Sequence, residues 1–472
     1  MHKTLRTLII IVNFAVVLEE SMAFIIISIV LLGYFLIATE KLTNINKAAV
    51  AIFIGTVGWV LYICYGSDFV LKEHRVEYFN FLQGATSSSV AVKQFIAQNI
   101  FLKYVGRAAE IVLFLLATMS IVEILQNNGC FDFLLRLMRT RNSRRMLWTM
   151  AVITFIISAN LDNLTTTVMM LTMMRQLVVT HRHRLIFGSA IVLAANCGGA
   201  LTVIGDPTGL VLWNNGFVTA TNFSMTLLLP CLVAWALPTW WIGRSLPSVV
   251  ATERVVLPYR GDDTNLNIWQ RVLMLVVGIG GLWFIPTFHN ITKLSPFLGA
   301  LCVLSVLWIV NEVVNRKLIT DEMIHRRTPR VLQYGVIQMM LFVMGTILAL
   351  AVVKETGVLD KLSGAVHLGP ADVWVAGVLT GVVSSVLDNF LASMTMISMR
   401  DMFACVPDDV YWKLSAFASA AGGGVLCIGS MSGLAFMKME RVRVGWFFRN
   451  IGWKCMVGAV AGMAVFWVVV TF

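Results

Sequence analysis

Charge is what this 472-residue sequence has least of: Lys, Arg, Asp and Glu make up only 13% of it, against 58% apolar residues. A water-soluble domain needs far more polar surface, so the scarcity excludes a soluble protein and makes the bilayer the solvent. Paired cysteines are missing as well. The eight cysteines (64, 130, 197, 231, 302, 405, 427 and 455) stand singly and mostly inside apolar runs, with no Cys-x-x-Cys and no His/Cys cluster. That argues against a disulfide framework or a thiolate metal site, and no cofactor is expected. His181 and His183, in His-Arg-His-Arg, read as loop charges. The net charge of +11 lies in short loops between apolar stretches, where orientation signals belong, so nucleic acid is not an expected partner.

What the sequence has in abundance is long apolar runs. They recur along its whole length, and most are long enough to cross a hydrocarbon core of about 30 Å. In lipid such runs must be helical, so the fold class is an all-α polytopic membrane protein. Candidate spans are 5–18, 22–38, 47–66, 106–127, 185–213, 225–243, 268–285, 296–314, 331–353, 410–437 and 450–471. Two further segments, 146–178 and 372–400, carry Asp-Asn at their centres and suit two half-length helices each. Residues 1–21 read as an extra span or a signal-like segment, and Met22 as an alternative start.

Loop charges predict what these two segments do. Arg136, Arg139, Arg141, Arg144 and Arg145 precede the first, and Arg175, Arg182 and Arg184 close it. Two basic ends place both on the cytoplasmic side, which makes the segment a re-entrant hairpin. Around the second, Lys354, Lys361, Arg400 and Lys413 are balanced by Glu355, Asp360, Asp372, Asp401, Asp408 and Asp409. Neither end is net basic, so this hairpin is expected to enter from outside.

Three blocks of the first half return in order in the second. Gly129–Leu134 matches Gly357–Leu362, Ser158–Asn163 matches Ser384–Asn389, and Gly198–Gly205 matches Gly422–Gly429. The expected organisation is repeat 1 at 22–243 (hairpin 146–178, broken helix 185–213), a cytoplasmic linker at 244–267, and repeat 2 at 268–472 (hairpin 372–400, broken helix 410–437). Each repeat holds five spans and a hairpin, and an odd number of spans inverts the second copy. Inverted repeats with broken helices hold a substrate near the midplane in secondary transporters.

Carboxylates deep in such segments are functional candidates, because each is costly to insert. Asp162 and Asp388 stand at the hairpin tips beside Asn163 and Asn389, with Thr165, Thr166 and Thr167 after the first. Helix capping is the competing explanation of Asp-Asn, though it accounts for neither burial nor duplication. Gly198, Gly199 and Gly205, with Thr202, lead to Asp206-Pro207; Gly422, Gly423 and Gly429 lead to Ser430, the counterpart of Asp206. Tight helix packing explains such glycines, but not Asp206. Glu110 is a further candidate in an access path. Oxygen donors with fixed negative charge and no opposing buried Arg or Lys favour a hard cation. Burial also disfavours a charged carboxylate, so proton and sodium ion compete for one group. The expected activity is Na+ exchange for H+, with Li+ as a possible alternative cation.

Ser158-Ala159-Asn160-Leu161-Asp162-Asn163-Leu164-Thr165-Thr166-Thr167, Gly198-Gly199 through Ile204-Gly205-Asp206, and Leu387-Asp388-Asn389 resemble the NhaD-type bacterial sodium/proton antiporters. These belong to the ion transporter superfamily, together with arsenite pumps and sodium-coupled dicarboxylate carriers. The resemblance extends from about residue 22 to the end of the chain. It implies an elevator-like mechanism, a homodimer, a bacterial inner-membrane location, and Na+, H+ and membrane lipid as partners. It also implies cation and proton roles for Asp162, Asn163, Thr166, Asp206, Asp388 and Asn389. Pro207-Thr208-Gly209 departs from the family's threonine run and resembles the Gly-Thr-Pro-Pro-type break of the dicarboxylate carriers. A sodium-coupled dicarboxylate symporter is therefore the first alternative, although those carriers resemble this chain with Ser-Asn-Thr at the tips, not Asp. An intramembrane aspartyl protease would need Gly-x-Gly-Asp, and Val203-Ile204-Gly205-Asp206 lacks the first glycine.

Overall fold

A computed structural model describes residues 21–43, 45–249, 266–315, 334–359, 372–399 and 406–471. The segment before residue 21, most of the 244–267 linker and the residues flanking the second hairpin therefore lie outside the described residues. Helices dominate, and no strand occurs among the described residues. In chain order they are α1 (Ser21–Ala38), α2 (Lys47–Cys64), α3 (Gly66–Glu73), α4 (Arg75–Leu82), α5 (Ser89–Phe95), α6 (Leu102–Asn127), α7 (Asp132–Met138), α8 (Ser143–Ser158) and α9 (Asn163–Leu177). Next come α10 (His181–Leu201), α11 (Pro207–Asn214), α12 (Ala220–Gly243), α13 (Ile268–Leu275), α14 (Gly281–Thr292), α15 (Pro296–Val314) and α16 (Tyr334–Glu355). The chain continues through α17 (Asp372–Val386), α18 (Asn389–Met399), α19 (Val410–Leu426), α20 (Met431–Glu440) and α21 (Trp453–Thr471). Nine helical stretches among the described residues are long and apolar enough to cross a membrane. The protein is a multi-pass membrane protein.

One boundary departs from the apolar-run reading. The span expected at 106–127 begins at Ser89, running through α5, a π-helical turn (Ile96–Phe101) and α6 without interruption. Lys93, Gln94, Gln98, Asn99 and Lys103 dilute the apolar run without breaking the helix. The Ser88 side chain caps its start, accepting from the Ala91 amide at 3.1 Å.

The described residues fall into two compact units, one made of those within 1–112, 337–376 and 393–405, the other of the remaining described residues. In the first, α2 and α16 approach closely through small residues. A Cβ on Gly55 would lie 3.0 Å from the Gly345 carbonyl, and Trp59 Nε1 donates to the Leu348 carbonyl at 3.1 Å. At the end of α16, Glu355 is buried; it accepts from Tyr104 at 2.7 Å and pairs with His74 Nε2 at 2.6 Å. His74 Nδ1 faces Glu77 at 3.1 Å.

The hydrogen bond to Glu355 is the main influence raising the His74 pKa; partial burial opposes it, and the negative charges of Glu355 and Glu77 add to it. A raised histidine pKa contributes stability that is complete below the ordinary value of about 6.5 and disappears as pH rises through the folded-state value. Thermal stability of the wild type should therefore fall as pH rises above about 6.5, and His74→Gln should flatten that dependence. Melting curves of the purified protein across neutral and alkaline pH check this; a slope equal in both proteins removes the assignment.

The second unit contains the helix–tip–helix segment α8/α9, the tip of a second one (residues 377–392 of α17/α18), and two interrupted helices, α10/α11 and α19/α20. Several of their packing contacts occur twice, at corresponding positions. Ser158 Oγ donates to the Ala195 carbonyl at 2.7 Å, and Ser384 Oγ to the Ser419 carbonyl at 2.6 Å. A Cβ at Gly198 would run into the Phe155 carbonyl and one at Gly422 into the Gly381 carbonyl. The same holds for Gly205 against Ser158 and Gly429 against Ser384. Backbone lies against backbone at these points, which is why only glycine fits. Outward apolar side chains such as Trp269, Trp283, Ile291 and Ile309 are exposed, as a surface facing hydrocarbon requires.

Candidate functional site

Four helix starts meet in the second unit, and each is capped by a residue that the sequence singles out. The Asp162 side chain caps α9: Oδ1 accepts from the amides of Leu164 at 2.8 Å and Thr165 at 3.0 Å. Asp206 caps α11, accepting from the Thr208 amide at 2.9 Å, with Pro207 at the first helical position where no amide is needed. Asp388 Oδ1 accepts from the Phe390 amide at 3.1 Å at the start of α18. Ser430 caps α20 through the Gly433 amide at 3.1 Å. All four are buried.

Asp206 is the centre of the constellation. Its Oδ2 accepts from Asn163 Nδ2 and from Asn389 Nδ2, each at 2.9 Å, so one carboxylate oxygen joins the tips of both hairpins. The Asn389 amide donates to the Gly429 carbonyl at 2.9 Å, and Ser432 Oγ to the Asn163 carbonyl at 3.0 Å. Residues from all four segments therefore share one hydrogen-bonded network.

Capping uses only part of the polar capacity. Asp162 Oδ2 is buried and meets no donor in hydrogen-bonding geometry among the described residues. The hydroxyls of Thr166 and Thr167 are equally buried and unpartnered there. Buried oxygens without donors are expensive, and a bound cation or proton is one way to satisfy them. Thr165 is only half-buried, and its amide is already held by Asp162. The Thr202 hydroxyl donates to the Ala159 carbonyl and accepts from the Gly205 amide at 3.1 Å, binding the break in α10/α11 to the first hairpin tip. Gly199 and Gly423 face the carbonyls of Gly205 and Gly429 across the two breaks. Glu110 is half-buried in α6 and belongs to the first unit, whereas every other residue above belongs to the second.

Two members of the network escaped the sequence reading. Asn196 lies buried within α10; its Nδ2 donates to Ser430 Oγ at 3.0 Å and its Oδ1 has no partner among the described residues. Ser432 is the other. The available signal for Asn196 was a carboxamide inside Ala-Ala-Asn-Cys-Gly-Gly, at membrane depth. A search for charge passes over it, and the repeat comparison places Ala420 opposite it.

Paired hairpins and interrupted helices closing on a buried polar centre define a membrane transport protein. Residues 34–422 match the citrate transporter family (CitMHS), and the chain belongs to that family. Sodium/proton antiporter 2 of Arabidopsis thaliana is 30% identical over 447 residues, a match covering 93% of this chain and 98% of that protein. Sodium/proton antiporter 1 of the same plant is 32% identical over 366 residues; the match takes in 76% of this chain but only 62% of that protein's length. The Na+/H+ antiporter NhaD of Vibrio cholerae is 26% identical over 380 residues, 75% of each chain.

Proposed function

We propose that this protein exchanges Na+ for H+ by alternating access at the Asp206 network. The observation that carries the reading is the grouping of three buried aspartates, each capping a helix start and one of them also joining both hairpin tips. Each helix start carries roughly +0.5 of charge, so four of them leave three ionised aspartates with about one negative charge uncompensated. One Na+ or one proton balances it, and binding either expels the other. The repeated hairpins and broken helices support two inverted repeats around this site. The bacterial inner membrane and a homodimeric state are part of the same proposal, by resemblance.

Added Na+ should collapse a preformed pH difference in everted membrane vesicles containing the protein, with no effect in vesicles lacking it. Absence of any Na+-dependent proton movement would sink the reading. The citrate transporter match favours a second one, Na+-coupled carboxylate symport, to which four positive helix ends also lend themselves. It predicts Na+-dependent uptake of citrate or succinate in the same vesicles, whereas the exchange reading predicts none.

A further inference from the structure

We infer that Glu440 is a positioning residue for the cation site, acting by tying together the far ends of the helices that carry it. The inference rests on the exchange reading and extends it to a residue outside the network around Asp206. Glu440 is the last residue of α20, and its side chain is almost completely buried. Oε1 accepts from Arg175 Nε at 2.6 Å, and Oε2 from Arg184 Nε at 3.1 Å. Arg175 also donates to the Met439 carbonyl, and His181 Nε2 lies 3.0 Å from the Glu440 carbonyl. Arg175 is in the last turn of α9, Arg184 in the first turn of α10.

One carboxylate therefore joins three helices at the basic, cytoplasmic-side end. Further along, the same helices carry Asp162 and Asn163 (α9), Asn196 (α10) and Ser430 and Ser432 (α20). Local helix physics does not explain this placement. A glutamate at a helix C-terminus and an arginine at a helix N-terminus each face the unfavourable end of the helix dipole. Only Arg175 sits where the dipole favours it. The pairing across helices is what holds the charges there, and the two carboxylate oxygens, each taking a charge-assisted hydrogen bond from a different arginine, tie both helices to α20.

A second tie, built on hydrogen bonds to Thr219, lies at the start of the other broken helix. Asp408, two residues before α19 begins, accepts from the Thr219 amide at 2.8 Å and the Thr219 hydroxyl at 2.9 Å. Both broken helices are thus tied, after their second halves, to the start of the other one. Among the described residues, the Glu440 tie is made of ion pairs and also includes a hairpin helix. Without it, Arg175 and Arg184 face each other unpaired, α9 and α10 separate, and the capping oxygens at the site move with them.

Two measurements on the purified full-length protein test this: the Na+ midpoint for thermal stabilisation, and KM against maximal rate for Na+-driven exchange in proteoliposomes. Glu440→Gln should raise both the midpoint and KM about tenfold with little change in maximal rate per folded protein, because a small misplacement of ligands costs binding steeply. Glu440→Asp, which keeps the charge, should restore part of the difference. A wild-type midpoint in folded Glu440→Gln overturns the inference, as does a loss confined to maximal rate. Where Glu440→Gln does not fold, Arg184→Gln carries the test, since Glu440 keeps Arg175; its midpoint should rise about threefold, and an unchanged one overturns the inference. If the wild type itself shows no Na+-dependent stabilisation, the exchange reading fails, independently of Glu440.

Discussion

Asp162→Asn and Asp388→Asn each reduce Na+/H+ exchange to the level of vesicles lacking the protein, while the protein still folds and inserts. The geometry at Asp162 supports both halves of that expectation. Its Oδ1 holds two amides, and Asn has an oxygen for that duty and caps a helix about as well as Asp. Among the described residues its Oδ2 meets no donor in hydrogen-bonding geometry, so the amide nitrogen that replaces it displaces none of these hydrogen bonds. Removing a buried charge also lowers the cost of insertion. Exchange is lost because a carboxamide neither releases a proton nor offsets a sodium charge. Quantitative yield, melting temperature and Na+-driven proton flux of the purified variants separate the two effects. Normal flux in either variant removes that aspartate from the site and leaves it a helix cap.

Asp206→Asn behaves differently, losing both exchange and stability. Asp206 accepts from three donors, two on Oδ2 and one on Oδ1. A carboxamide has one acceptor oxygen. Turned towards Asn163 and Asn389, it leaves its own NH2 against the Thr208 amide; turned towards Thr208, it sets three carboxamide NH2 groups against one another. Either way buried donors lose their partner, at a cost of about 1–3 kcal/mol. Unfolding of Asp206→Asn beside Asp162→Asn, in the same detergent, should show a clear loss for the first and none for the second. Wild-type stability in Asp206→Asn would mean that the two asparagines are not held by this carboxylate.

The contrast between the two aspartates was not legible in the sequence. Both read as buried acids beside small or polar residues, and a string of residues carries no information on how many donors a carboxylate meets. Asn196 shows the same limit. Its importance comes from Ser430, more than 200 positions away, and its repeat counterpart is alanine. Arg175 and Arg184 read as loop charges, and nothing in the sequence points to Glu440 as their partner, because pairing between α9, α10 and α20 exists only after the helices have packed. The span beginning at Ser89 was missed for a local reason: five polar residues lowered the hydropathy of a helix that continues through them.

By itself, the sequence determined everything that depends on neighbours along the chain or on solvent. Scarcity of charge put the protein in a bilayer, and a bilayer leaves helices as the means of satisfying the backbone. Asp-Asn and Gly-Asp-Pro placed the breaks, because those residues end or start helices through their own side chains and rings. Three recurring blocks indicated the paired hairpins and broken helices. Tertiary structure alone decided which oxygens face one another: that Asp206 holds both hairpin tips, that Asp162 keeps one oxygen without a donor among the described residues, and that Glu440 collects two arginines. Around the hairpin tips, glycine-lined backbone contacts, Gly198 on Phe155 and Gly422 on Gly381, let the helices approach this closely. Hydrogen bonds are decided over a few tenths of an ångström, and only packing sets distances that finely.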